Sequence, residues 1–166
     1  MNRWDNSFSL GIKLIDDQHK KILDFAFDSL TNAPQNEEER DEYFKEVIAQ
    51  VVEYIKVHFA TEEGIMLATK FPDYCEHKKA HEAFVMAVLN SVRDYETGNR
   101  MALENFSNFT KKWVLTHIAV MDIKYIEYLK KITISIGDGK RGVSMWDLNI
   151  NTGSHPANAA EHLYYF

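Results

Sequence analysis

Cysteine is nearly missing from this chain. Its 166 residues include one, Cys75, which excludes an intrachain disulfide framework and a zinc–thiolate cluster. Proline is scarce as well, with three, so long helices meet few obligatory breaks. There is no excess of positive charge: 19 Lys and Arg against 25 Asp and Glu leave −6. Such a chain feels no electrostatic pull toward a phosphate backbone or an anionic membrane, so neither nucleic acid nor membrane is an expected partner. No apolar run approaches the ~18 residues that span a bilayer. Met1-Asn2-Arg3-Trp4-Asp5 lacks the apolar stretch of a signal peptide, and a reducing cytoplasm is the expected compartment. What is present is a globular composition, 45% apolar and 27% charged, together with seven histidines.

Four stretches carry apolar residues at spacings of three and four, the period of a helix with one buried face. The first holds Ile12, Ile15, His19, Ile22, Leu23, Ala26 and Leu30 and closes at Thr31-Asn32-Ala33-Pro34. The second opens in the acidic run Glu37-Glu38-Glu39, which suits a helix N-terminus, and carries Phe44, Val47, Ile48, Val51, Ile55, His58 and Glu62. Phe71-Pro72-Asp73 follows it, with Asp73 as the expected cap of the third helix. The third stripe is His77, His81, Phe84, Val85, Val88 and Val92, ending near Thr97-Gly98-Asn99. The fourth is Phe106, Phe109, Trp113, His117, Val120, Met121, Ile126 and Leu129. Short connections favour antiparallel neighbours, so the pattern predicts an all-α, up-down-up-down antiparallel four-helix bundle over residues 1–131.

Residues 132–166 read as a C-terminal extension. Ile132, Ile134 and Ile136 alternate with Thr133 and Ser135, then a glycine-rich turn, Gly137 to Gly142, leads into a second alternation over Ser144–Ile150. That is a strand–turn–strand pattern, so either a β-hairpin or an irregular tail is expected there.

The bundle stripes also contain groups foreign to a dry core. His19 lies mid-stripe in the first helix, His58 and Glu62 stand four apart in the second, and His77 and His81 four apart in the third. His117 lies on the apolar face of the fourth, with Asp122 five residues later. A spacing of four puts two side chains on one face, one turn apart. Five imidazoles and two carboxylates buried without partners would cost several kcal/mol each, and a shared metal removes that cost. Seven donors exceed what one ion accepts, so two ions are expected, and a nitrogen-rich set with two carboxylates suits iron. The spacing of His117 and Asp122 is peculiar. Five residues at about 100° each leave them about 140° out of phase, so either a π-type bulge lies between them or both reach in from the sides of the site. His155 and His162 lie in no stripe and read as surface residues.

Other metal motifs fail. His81-Glu82-Ala83-Phe84-Val85 starts like a zinc-protease helix but has Val85 where the second histidine is needed. No histidine has Glu three residues before it, as the carboxylate-rich di-iron bundles require. Taken in order, Ile15-Asp16-Asp17-Gln18-His19, His58-Phe59-Ala60-Thr61-Glu62-Glu63, His77 with His81, and Trp113 to Asp122 with His117-Ile118 inside it resemble the hemerythrin family, specifically its bacterial members. The resemblance spans roughly residues 4–131, with Trp4 and Gly11 suiting the family's usual opening.

The resemblance implies two non-haem irons, Fe2+ or Fe3+, with an oxo or hydroxo bridge and dioxygen as the ligand. It assigns His77, His81 and His117 to one iron and His19 and His58 to the other. Glu62 and Asp122 would bridge, and the open position would lie on the two-histidine iron. The family's pocket positions fall on Ile22, Phe59, Trp113 and Ile118, an apolar wall that would keep water out. The implied function is reversible dioxygen binding for storage, delivery or scavenging, by a protein that is not an enzyme. The alternatives are an oxygen or redox sensor that signals to a separate protein, favoured only by the appended tail, and a di-iron enzyme reducing peroxide or nitric oxide. The apolar pocket argues against the enzyme.

Overall fold

A computed structural model describes residues 4–137 of the chain. The helices are α1 (Lys13–Thr31), α2 (Glu37–Ala68), α3 (Tyr74–Glu96), α4 (Ala102–His117) and α5 (Ile123–Gly137). A π-helical turn, Ile118–Asp122, joins α4 to α5, so these two form the fourth arm of the bundle. Residues 32–36, 69–73 and 97–101 make the connections. Connections this short return each helix beside its predecessor, giving the up-down-up-down bundle; α1 also closes the ring by packing on α4. Among the described residues no helix is long and apolar enough to cross a membrane.

Local chemistry sets the helix ends. Asn36 caps α2 by accepting from the Glu38 N–H at 2.9 Å. Asp73 stands at the N-cap of α3 as expected, but its side chain makes no capping bond; instead its carbonyl takes the His77 N–H at 3.1 Å. The ends of α2 and α3 share one device. Lys70 (φ 56°) and Gly98 (φ 87°) sit in the left-handed region just beyond the helix. Phe71 N–H reaches back to Met66 C=O at 2.9 Å, and Asn99 N–H to Asp94 C=O at 3.0 Å, closing Schellman turns. In the first turn of α1, the buried Asp16 carboxylate accepts from Ser9 Oγ (2.6 Å) and from the N–H groups of Leu10 (2.8 Å) and Gly11 (3.3 Å). This clamp folds the opening segment over the bundle and buries Trp4 and Leu10 in the main core.

Three expectations are corrected. Ile132–Ile136 is helical, the last turns of α5, and forms no strand. Extending an existing helix fixes one residue per hydrogen bond, whereas an isolated two-stranded hairpin is marginal. The second expected strand, Ser144–Ile150, lies outside the described residues, as do His155 and His162. Val85 and Val120 are not core residues but stand 44% and 51% exposed. Val85 sits one position beyond Phe84, about 100° round α3 from the buried face. Val120 lies inside the π turn, whose extra residue shifts the helix phase and turns this position outward.

Candidate metal centre

Each helix brings its donors to one level, nearer the 69–73 end of the bundle. All seven candidate donors, His19, His58, Glu62, His77, His81, His117 and Asp122, are buried. On the fourth arm the π turn solves the phase problem. It starts immediately after His117 and ends at Asp122, so both side chains face inward despite standing five residues apart.

The imidazoles fall into two groups. His77, His81 and His117 place their Nε2 atoms 3.1 Å from one another, a closed triangle. His19 and His58 form the second group, with ring centroids 4.7 Å apart. The carboxylates face both. Asp122 Oδ1 lies 3.3 Å from His77 Nε2 and 3.1 Å from His117 Nε2, while its Oδ2 lies 3.2 Å from His19 Nε2. Glu62 Oε2 lies 3.3 Å from His81 Nε2, 3.5 Å from His77 Nε2 and 3.7 Å from His58 Nε2. Its Oε1 lies 3.8 Å from His19 Nε2. Geometrically, Glu62 with His77, His81 and His117 makes one possible cation site, and His19, His58 and Glu62 another.

Two of the tautomers can be deduced from the surrounding bonds. His81 Nδ1 is 3.0 Å from Glu63 Oε1; a carboxylate only accepts, so Nδ1 carries the proton and Nε2 presents a lone pair inward. At His58 the tautomer is set through Thr61 and Gln18. Thr61 spends its hydroxyl proton on Val57 C=O at 2.8 Å, so its oxygen accepts from Gln18 Nε2 at 3.3 Å. That leaves Gln18 Oε1 facing His58 Nδ1 at 3.1 Å, and His58 must donate there. Its Nε2 lone pair also points inward. Tyr125, buried on α5, donates its hydroxyl to Glu62 Oε1 at 2.9 Å.

The electrostatics suit a cation. Burial pushes His58 down to about 4, and burial lowers His117 too. His81 is lowered by burial, but its bonds to Glu62 and Glu63 outweigh this and raise it. Burial alone would raise Glu62, yet His58, His77 and His81 around it hold its carboxyl well below the ordinary range. Asp122 is likewise lowered against its burial, by His117 and His19. Carboxylates held anionic, with His58 and His117 biased toward the neutral form, suit metal ligation.

The donor set passes a test of fit on its own atoms. His19 Nε2, Glu62 Oε2 and both oxygens of Asp122 are buried without a hydrogen-bond partner, as are the Nδ1 atoms of His19 and His77. Three Nε2 atoms at 3.1 Å cannot satisfy one another, because at least His81 presents a lone pair and a neutral imidazole has one N–H in all. A shared cation relieves the inward-facing atoms at once. A single tetrahedral ion could not take all seven donors.

The apolar candidates line this level. Ile22, Phe59 and Ile118 are buried, and Trp113 is partly buried against the same core. Phe59 lies flat on His81 (centroids 3.7 Å, planes 5° apart) and Trp113 on His117 (4.3 Å, 14°). Their tightest ring contacts are therefore with the three-histidine group; Phe59 meets His58 of the other group at 5.7 Å. Sequence reasoning missed Tyr125, Gln18 and Glu63 as parts of the site. Tyr125 stands three residues after Asp122, a spacing that shares a helix face, and this was the available signal.

The chain is similar to proteins of one family. A family model described as the hemerythrin HHE cation binding domain matches residues 10–129. Myohemerythrin of Sipunculus nudus is 32% identical over 123 residues, which cover 74% of this chain and 88% of that protein. Bacteriohemerythrin of Stenotrophomonas maltophilia is 28% identical, over 76% of this chain and 80% of its own length. A solved structure of a point mutant shares the fold, with a TM-score of 0.64 at 24% identity, covering 75% of this chain and 93% of that one. A bundle with seven buried donors at one level, matched by the family model over most of its length, identifies the chain as a member of the hemerythrin family.

Proposed function

We propose that the protein binds dioxygen reversibly at a pair of non-haem irons, in storage, delivery or scavenging. The observation that carries this reading is the division of seven buried donors into a three-nitrogen and a two-nitrogen group with carboxylates facing both. His77, His81 and His117 would hold one ion and His19 and His58 the other, with Glu62 and Asp122 joining them. When bound, the iron pair with its oxo or hydroxo bridge supplies the electrons for a reversible uptake of dioxygen.

The chain's own residues supply the rest. Glu63 and Gln18 hold the Nδ1 protons of His81 and His58 and so turn their Nε2 lone pairs inward. Tyr125 orients Glu62 by donating to Oε1. Burial and the neighbouring Glu62 push the Tyr125 hydroxyl well up, so it keeps its proton and serves as a donor of a hydrogen bond rather than of a proton. Ile22, Phe59, Trp113 and Ile118 present hydrocarbon and aromatic surface, which excludes water. An apolar wall, with Tyr125 held as a hydrogen-bond donor, favours binding over turnover and sets the carrier above a peroxide- or nitric oxide-reducing enzyme. The exposed thiol of Cys75 suits a reducing cytoplasm.

Two measurements test the reading. Metal analysis of reconstituted protein should saturate at two irons per chain. An anaerobic-to-aerobic optical titration should then give a charge-transfer spectrum that disappears again when oxygen is removed. Saturation at one iron, or a spectrum that forms only once, overturns it; rapid steady-state consumption of peroxide would favour the enzyme.

A further inference from the structure

The two halves of the site differ in what stands behind one histidine in each. In the three-histidine half His81 Nδ1 donates to the Glu63 carboxylate at 3.0 Å, and Glu63 Oε2 lies 3.8 Å from Lys78 Nζ. In the two-histidine half His58 Nδ1 donates at 3.1 Å to Gln18, an uncharged amide whose orientation Thr61 fixes. The two distances are nearly the same; the acceptors differ in charge, and Glu63 is the more exposed of the two. A carboxylate draws the Nδ1 proton outward and raises the basicity of the opposite nitrogen; an amide does this less. Tyr125 cannot make such a distinction, because it bonds Glu62, which faces both halves. The ring contacts of Phe59 and Trp113 bring no charge.

We infer, on the di-iron reading above, that Glu63 and Gln18 are positioning residues that rank the two halves. Glu63 makes the three-histidine half the tighter, and Gln18 leaves the two-histidine half the weaker. Partly loaded protein therefore carries its ion among His77, His81 and His117, and loading and loss proceed in a fixed order. The difference in nitrogen donors, three against two, acts in the same direction, so the test must isolate the charge.

Ferrous-loaded protein, kept anaerobic, is equilibrated with increasing chelator, and the iron still bound is counted. The wild type should release its irons in two resolved steps. Glu63→Gln keeps an acceptor of the same shape at the same place and removes only the charge. It should weaken the tighter step by about 10- to 100-fold, drawing the two steps together. Gln18→Glu should strengthen the weaker step by about 10-fold and leave the tighter one in place. The reduction potential offers a second readout: Glu63→Gln should raise the lower of the two potentials of the loaded protein. Circular dichroism confirms that each variant is folded, and Glu63→Gln alone decides the matter if Gln18→Glu is not. A Glu63→Gln protein indistinguishable from wild type in both readouts, or two variants that move the same step, would overturn the inference. Wild-type protein that holds fewer than two irons sinks the di-iron reading itself and is thereby told apart.

Discussion

The bundle has two ends built on one periodicity. Toward the 69–73 connection its interior holds His19, His58, Glu62, His77, His81, His117 and Asp122. Toward the 32–36 and 97–101 connections the same four arms bury Ala26, Phe44, Val88, Leu103 and Phe106. Polar groups occur at this far level too: Ser29 Oγ donates to Ala26 C=O at 3.0 Å, and Ser107 Oγ also bonds that carbonyl, while Thr110 Oγ1, one turn further along α4, is the one buried side-chain polar atom away from the site without a partner among the described residues. At the site level six buried polar atoms have no hydrogen-bond partner. One end thus rests mainly on hydrocarbon burial, and the other gathers polar atoms that the protein itself leaves unpaired. A helix stripe specifies which positions face inward, and the residues placed there decide whether the interior is self-sufficient.

The comparison breaks most directly under a chelator. Two sites filled at a thousand times their dissociation constants would contribute about 4 kcal/mol each. Stripping the metal should therefore lower the thermal midpoint by about 20 °C, measured by calorimetry with and without chelator. An unchanged midpoint would show that the site end does not depend on its ions.

Next in size is Phe106→Ala at the far level. Removing this buried ring should cost about 3–5 kcal/mol. The loss should be alike in loaded and stripped protein, with iron content unchanged. Phe59→Ala at the site level should cost a similar amount and in addition hasten the decay of the oxygenated spectrum in air, since a wetter wall promotes oxidation of both irons. Equal decay in the two variants would remove Phe59 from the water barrier.

Acid should separate the ends by a smaller amount. His58 titrates near 4 in the fold and near 6.5 when unfolded. Between these values the unfolded chain binds the extra proton, so stability is full above pH 6.5 and falls as the pH drops toward 4. The loss in stripped protein is of order 3 kcal/mol from His58. His117, lowered by burial, adds to it, and His81, raised by Glu62 and Glu63, offsets part. Urea midpoints from pH 7 to pH 4 should show this slope in the wild type and in Phe106→Ala alike, and a flatter one in His58→Leu.

The smallest contrast lies in the turns. Both use the left-handed region, but Lys70 bears a Cβ there and Gly98 does not. Lys70→Gly should gain up to about 1 kcal/mol, and Gly98→Ala should lose about as much. Equal and opposite midpoint shifts would check it; a loss from Lys70→Gly would mean that the tie from Tyr128 Oη to Thr69 C=O, at 3.0 Å, does not hold the turn without that side chain.

Much of the bundle was legible because helical spacing is local. Ile15, His19, Ile22 and Ala26 repeat at intervals that leave one face for the core, and all four are buried there. The ambiguity near Ile132 arose because alternation over five residues says nothing of the helix already running into it. Val120 leaves its stripe for the complementary reason: a regular period does not carry across the π turn that the His117–Asp122 spacing suggests.

By itself the sequence determined the helix stripes and the seven donors on them, because both follow from about 3.6 residues per turn within a single segment. Helical spacing alone left open which donors form the triangle and which the pair; the family resemblance implied that division, and the tertiary structure displays it in the Nε2 positions. Only the tertiary structure paired Glu63 with His81, Gln18 with His58 and Tyr125 with Glu62. Those pairings depend on the relative rotation and height of separate helices. Side-chain packing across the whole core sets these together, and spacing along any one helix carries no record of them.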